Sequence, residues 1–190
     1  MRVNIINVGI GNVNSLYGWV SQCYEDVCLL TDPDMYDGGA IIIPGACASN
    51  QLMRRLENMG HDILIKELTK TNTTIMGICA GFQVMSQSTT ENEQLQCLGL
   101  IEGHTIPLKQ AKSTTLWKHS EITIPKKSKL HQIFPRNKYI RGKYYFNHCF
   151  GVLRGDVILD YEIKKNVVGI QFHPEKSGVY GNPFLKMLVG

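Results

Sequence analysis

The sequence predicts an α/β fold: a mostly parallel central sheet with helices on both faces, and an added antiparallel region. Three observations carry this. Short, near-continuous apolar runs occur at 3–8, 40–45, 73–79 and 167–173, the pattern of strands buried on both faces. Helix-periodic segments separate the first three, giving a strand–helix repeat. Between 105 and 165 the runs become shorter and more alternating, with turn residues between them, as in half-buried antiparallel strands.

In chain order, "VNIINV" (3–8) is a β-branched strand that ends at "GIGN". Residues 14–24 place Leu16, Trp19, Val20 and Cys23 on one helix face, with Asn14 or Ser15 available as a cap. "AIIIPG" (40–45) is a second buried strand, stopped by Pro44. Residues 51–59 set Leu52, Leu56 and Met59 along one face, and 61–70 continue as another helix. "TTIMGIC" (73–79) is the third strand, and "FQVMSQS" (82–88) begins the next helix. "SEITI", "KYYFNHCF" and "VILDYEI" read as antiparallel strands on the edge or face of the sheet, and "VVGIQFH" (167–173) as a last buried strand. "NPFLKMLVG" (182–190) starts a final helix, with Pro183 at an early helical position.

The chain has 190 residues, 43% of them apolar and 19% charged, a globular composition that fits one domain, 1–190. A net charge of +4 is mild, and its densest basic stretch, "PKKSK" (125–129), reads as a solvated turn, so no nucleic-acid partner is expected. No apolar run approaches the roughly 18 residues of a membrane span. The N-terminus lacks an export-signal pattern, and the expectation is a soluble, cytoplasmic protein. Six scattered cysteines without a C-x-x-C pair read as reduced thiols rather than bridges or zinc ligands.

One cysteine stands apart. In "GICAG", Cys79 lies between a buried strand and a helix, the layout of a nucleophile elbow. Gly77 and Gly81 leave room for the sharp bend. A helix start behind the sulfur favours thiolate, and its free N–H groups can receive an oxyanion. An isolated cysteine is more often a core thiol, but "QFHPE" supplies what a nucleophile needs. His173 ends a strand as the candidate base, and Glu175, two positions on as in an extended chain, orients it. His148, among aromatics in "YFNHCF", is a pocket or core histidine; His61, His104, His119 and His131 read as surface.

"GICAGFQ" and "QFHPEKSG" in this order resemble the triad, or class I, glutamine amidotransferases. "GIGNVNSL", "IPGACASNQLM", "CLGLIEG", "YYFNHCF" and "IQFHPEKSGVYG" are similar to the glutaminase subunits of imidazole glycerol phosphate synthase, from the first strand to the last helix. The resemblance implies a flavodoxin-like fold and hydrolysis of L-glutamine by Cys79, His173 and Glu175. It assigns Gln83, Glu91 and the "HCF" segment (His148, Cys149, Phe150) to the glutamine pocket. Gly45 and Ala46 would lie in the oxyanion strand, and Asn12, Asn14, Trp117 and Lys176 at a partner interface. It implies no metal or organic cofactor. The implied partner is a (β/α)₈ cyclase, forming a heterodimer that channels ammonia for histidine biosynthesis.

Two departures stand out. The oxyanion strand reads Gly45-Ala46-Cys47 where the family has Gly-Val-Gly, and Leu116 and Lys118 flank Trp117 in place of Gly and Asn. They motivate a rival, a paralogue supplying ammonia to another pathway such as surface-sugar amidation. A free-standing γ-glutamyl hydrolase and a catalytically inactive regulatory subunit are further alternatives, opposed by "EKSG" and by the complete triad respectively.

Overall fold

The computed structural model describes residues 1–108, 115–123 and 139–188. "PKKSK", His131 and the last two residues of the expected final helix lie outside them. In chain order the first half holds β1 (Val3–Ile6), α1 (Val13–Val20), β2 (Val27–Leu30), β3 (Ala40–Ile43), α2 (Ser49–Asn58), α3 (His61–Leu68), β4 (Ile75–Ile78) and α4 (Ala80–Gln83). The second half holds β5 (Ser88–Thr89), β6 (Leu95–Gln96), β7 (His104–Pro107), β8 (Thr115–Thr123), β9 (Tyr139–Asn147), β10 (Phe150–Arg154), β11 (Val157–Leu159), β12 (Tyr161–Lys164), β13 (Val167–Ile170) and α5 (Asn182–Lys186).

The central sheet runs β12-β13-β4-β3-β1-β2. All its neighbours pair parallel except the edge strand β12. Read from β2 to β13, this is the flavodoxin-like order 2-1-3-4-5. β1, β3, β4 and β13 are buried along their whole length. Alternate side chains enter opposite layers. Ile5, Ile42 and Ile78 meet Leu16, Trp19 and Phe172 on one face. Ile6, Ile41 and Ile75 meet Leu52, Leu56 and Phe82 on the other. Both faces are thus removed from water, and that burial drives the fold.

Several expectations shift. β2 was not foreseen; it adds an edge strand beyond β1. The first helix starts at Val13 and ends at Val20, and Asn12, not Asn14 or Ser15, holds its N-cap position. The helix expected from Phe82 to Ser88 is one turn, Ala80–Gln83. Among the described residues of the expected antiparallel region, only β12 joins the central sheet; β11-β10-β7-β5-β6 form a second sheet, and β8 and β9 pair as a two-stranded ribbon. His61, read as surface, is fully buried at the start of α3, and burial pulls its pKa down. His104 and His119 are exposed as expected.

Candidate active site

The loops at the carboxyl ends of β1, β3, β4 and β13 converge, as ligand sites do in open α/β sheets. Cys79 leaves β4 with φ 52° and ψ −109°, a sparsely populated conformation that costs about 1–3 kcal/mol. Two hydrogen bonds hold it there. Its N–H donates to the Ile170 carbonyl at 2.8 Å, and its carbonyl accepts from the Gln83 N–H at 3.0 Å. The bend also needs an open neighbour, since a Cβ on Gly45 would fall 2.8 Å from the Cys79 Cβ. Cys79 as a whole is 4% exposed, and its sulfur donates to the Asn147 carbonyl at 3.8 Å.

His173 is clamped against β9. Its N–H donates to the Tyr145 carbonyl at 2.8 Å, and Ser177 Oγ donates to the His173 carbonyl at 2.6 Å while accepting from the Tyr145 N–H at 3.1 Å. His173 Nδ1 lies 2.8 Å from Glu175 Oε1. The expected extended step between the two is instead a single 3₁₀ turn, Pro174–Lys176, which folds the carboxylate back under the ring. Burial works against a charged ring, but hydrogen bonding to Cys79 and Glu175, and the charge of each, outweigh it and raise the His173 pKa to about 10. With Nδ1 committed to the carboxylate, Nε2 is the nitrogen free for chemistry.

Beside Cys79 opens a cavity of about 270 Å³. Ala46, Cys47 and Ala48 form one wall, Gln83 and Glu91 another, and Asn147 through Phe150 the third. Gln83 Nε2 donates to the Phe150 carbonyl at 2.7 Å, tying the helix turn to that third wall. Glu91 Oε2 accepts from the Ser49 N–H at 2.6 Å and from Ser49 Oγ at 2.8 Å. The carboxylate thereby faces the first turn of α2, where negative charge is favoured. His148 Nδ1 lies 2.8 Å from the Phe150 carbonyl, and burial lowers its pKa, favouring the neutral ring. Burial, with Cys79 and Glu91 nearby, pushes the Cys47 thiol up to about 12 and keeps it protonated.

The model of the CobB/CobQ-like glutamine amidotransferase domain matches residues 21–142. The chain belongs to this family. Two relatives of the amidotransferase run nearly end to end with it. Imidazole glycerol phosphate synthase subunit HisH 2 of Methanococcus maripaludis is 28% identical over 98% of each chain. Subunit HisH of Lactococcus lactis is 29% identical over 97% of this chain and 96% of its own. A crystal structure of a glutamine amidotransferase superposes with a TM-score of 0.75 over 99% of both chains; at 14% identity that likeness shows the fold.

The family match contains Cys79, while His173 and Glu175 come from beyond it. On this amidotransferase scaffold the other expected residues separate into two groups. Gly45, Ala46, Gln83, Glu91, His148, Cys149 and Phe150 gather with Cys79 around the cavity or its glycine neighbour. Asn14 is exposed on α1. Trp117, half exposed, meets Tyr145 edge-on at 5.5 Å, and Lys176 Nζ sits 5.6 Å over the same ring. Asn12, expected to face a partner, turns its side chain inward: Nδ2 donates to Glu175 Oε1 at 2.7 Å. Sequence reasoning missed Ser177 and Asn147 as parts of the site, while Cys47, read as part of the oxyanion strand, lines the cavity. The "S" of "HPEKSG" was the one local signal, since a small hydroxyl four residues after a strand-end histidine can reach back to its carbonyl.

Proposed function

We propose that this amidotransferase hydrolyses L-glutamine to glutamate and ammonia. The strained Cys79, aimed into a cavity of substrate size and backed by the buried His173–Glu175 pair, carries that reading. In the first half-reaction the thiolate attacks the side-chain amide carbon of glutamine. The oxygen takes up negative charge against main-chain N–H groups of the Gly45–Ala46 segment and the start of α4. His173 gives its Nε2 proton to the leaving nitrogen, ammonia departs, and a γ-glutamyl thioester remains. In the second, His173 takes a proton from water, the hydroxide attacks the thioester, and glutamate leaves as the thiolate reforms. Glu91 suits the substrate α-ammonium, and the polar wall of residues 147–150 suits its carboxylate end.

The ammonia passes to a second, synthase subunit. The HisH relatives' names favour imidazole glycerol phosphate synthesis, and the sequence resemblance adds a (β/α)₈ cyclase partner and a cytoplasmic complex to that reading. A paralogue feeding another amidation, such as that of a surface sugar, is the second reading. It is favoured by Ala46 and Cys47 on the cavity wall and by the exposed Leu116 and Trp117 on the ribbon.

The test is capture of the native complex through a tagged chain, followed by a glutaminase assay. Cys79→Ala is expected to lower turnover by at least about 10³-fold; unchanged turnover would sink the triad. A captured cyclase supports the histidine pathway, and a sugar amidotransferase in its place supports the paralogue.

A further inference from the structure

Asn12 touches three parts of the site at once. Its Nδ2 donates to Glu175 Oε1. Its main-chain N–H donates to the Gly45 carbonyl at 3.1 Å, and its own carbonyl accepts the Leu16 N–H at 3.2 Å, opening α1. We infer that Asn12 is a positioning residue for glutamine hydrolysis, setting both the carboxylate that orients His173 and the peptide that leads into the oxyanion strand. The inference rests on the glutaminase reading above.

The carboxylate torsion of a glutamate is broad and roughly two-fold, so burial alone does not fix which oxygen faces a neighbour. Here Oε1 takes both donors, His173 Nδ1 at 2.8 Å and Asn12 Nδ2 at 2.7 Å. Oε2 is buried and has no hydrogen-bond partner among the described residues, so it adds no orientation. The second donor to Oε1 therefore comes from Asn12. It is neutral, so it steadies the carboxylate without setting a second cation beside the imidazolium. The main-chain contact acts on the other half of the machinery. In a trans peptide N–H and C=O point opposite ways, so holding the Gly45 carbonyl on Asn12 directs the Ala46 N–H away from the β1 loop. The loop approaches this closely because residue 11 is glycine at φ 94°, where a Cβ would lie 2.9 Å from the Gly45 oxygen.

The rival role is helix capping. Asn12 occupies the N-cap position of α1, yet its side chain makes no capping hydrogen bond. Aspartate is as good an N-cap as asparagine and nearly the same shape, but it would set one carboxylate against another. Capping predicts that Asn12→Asp outperforms Asn12→Ala; positioning predicts the reverse.

In the captured complex, Asn12→Ala is expected to lower kcat for glutamine about 10- to 100-fold with little change in KM. Asn12→Asp should lose more, with its deficit shrinking as pH falls and the new carboxyl regains a proton to donate. An Asn12→Asp variant equal to or better than Asn12→Ala across the pH range overturns the proposal. A wild-type complex that releases no glutamate would remove the glutaminase reading itself. The His173 ring titration, followed by NMR and needing no substrate, then decides the positioning: a midpoint lowered in Asn12→Ala supports it, and an unmoved one overturns it.

Discussion

At the scale of single residues, His173 has the most consequential electrostatics. Its pKa is raised from 6.5 to about 10, so the ring stays charged through the neutral range whenever Cys79 and Glu175 are anionic. Since the folded value lies above the unfolded one, the stabilisation from this group is fully present below pH 6.5 and is lost as pH rises through about 10. Glu175→Gln keeps an acceptor but removes the charge. It should move the ring's NMR titration midpoint to lower pH; an unchanged midpoint would show that Glu175 does not hold the imidazolium. Local pattern made Cys79, His173 and Glu175 readable: a glycine-framed cysteine after an apolar run, and a histidine and glutamate around a proline. Asn12 was readable only as a partner-facing loop residue, because the glutamate that its side chain meets is 163 positions away. Nor does Ala46 advertise its φ of 60°, a conformation that disfavours any side chain by roughly 1–2 kcal/mol.

At the scale of elements, contact between β3 and α4 positions the nucleophile. A Cβ on Gly81 would run into the Ile43 carbonyl and come within 2.8 Å of the Pro44 oxygen. Both are backbone atoms that cannot swing aside. Gly81→Ala should therefore push the oxyanion strand off the elbow, lowering unfolding free energy by about 1–3 kcal/mol. Glutaminase turnover should fall further than the folded fraction does. A variant with wild-type urea midpoint and wild-type turnover would remove this contact from the argument. The buried strands were legible because their apolar runs were continuous, and α2 because its face repeats. β2 was not: Val27–Leu30 is a four-residue edge strand, only partly buried over three of its positions, set among polar residues. α4 was over-extended for the opposite reason. Residues 80–86 are all buried, so no helical stripe marks where the turn ends.

At the scale of the whole molecule, the order β2-β1-β3-β4-β13 brings four loops to one end of the sheet, although their residues span positions 12 to 175. The alternation of apolar runs and helices implied that arrangement; where the second half would go was harder to read. Its short strands carry no mark that separates an edge of the central sheet from a new sheet, so the placement of β12 and of the β8–β9 ribbon came from long-range pairing. That ribbon carries Trp117, one of the residues proposed to meet the partner. Trp117 is 50% exposed and leans on Tyr145, whose main chain is bonded to His173. A partner seated on Trp117 and Lys176 would press one ring away from the catalytic base. Exposed aromatic anchors of this kind often carry a large share of binding energy. Trp117→Ala should weaken binding to the native synthase by roughly 1–3 kcal/mol, about 5- to 150-fold in Kd. The free chain's unfolding midpoint should shift far less than for a core residue, because half of Trp117 is exposed and its packing is an edge contact with Tyr145. Calorimetry with the captured partner measures the first and urea denaturation the second. Wild-type affinity would move the docking face away from the ribbon, and a large drop in stability would make Trp117 a core residue instead.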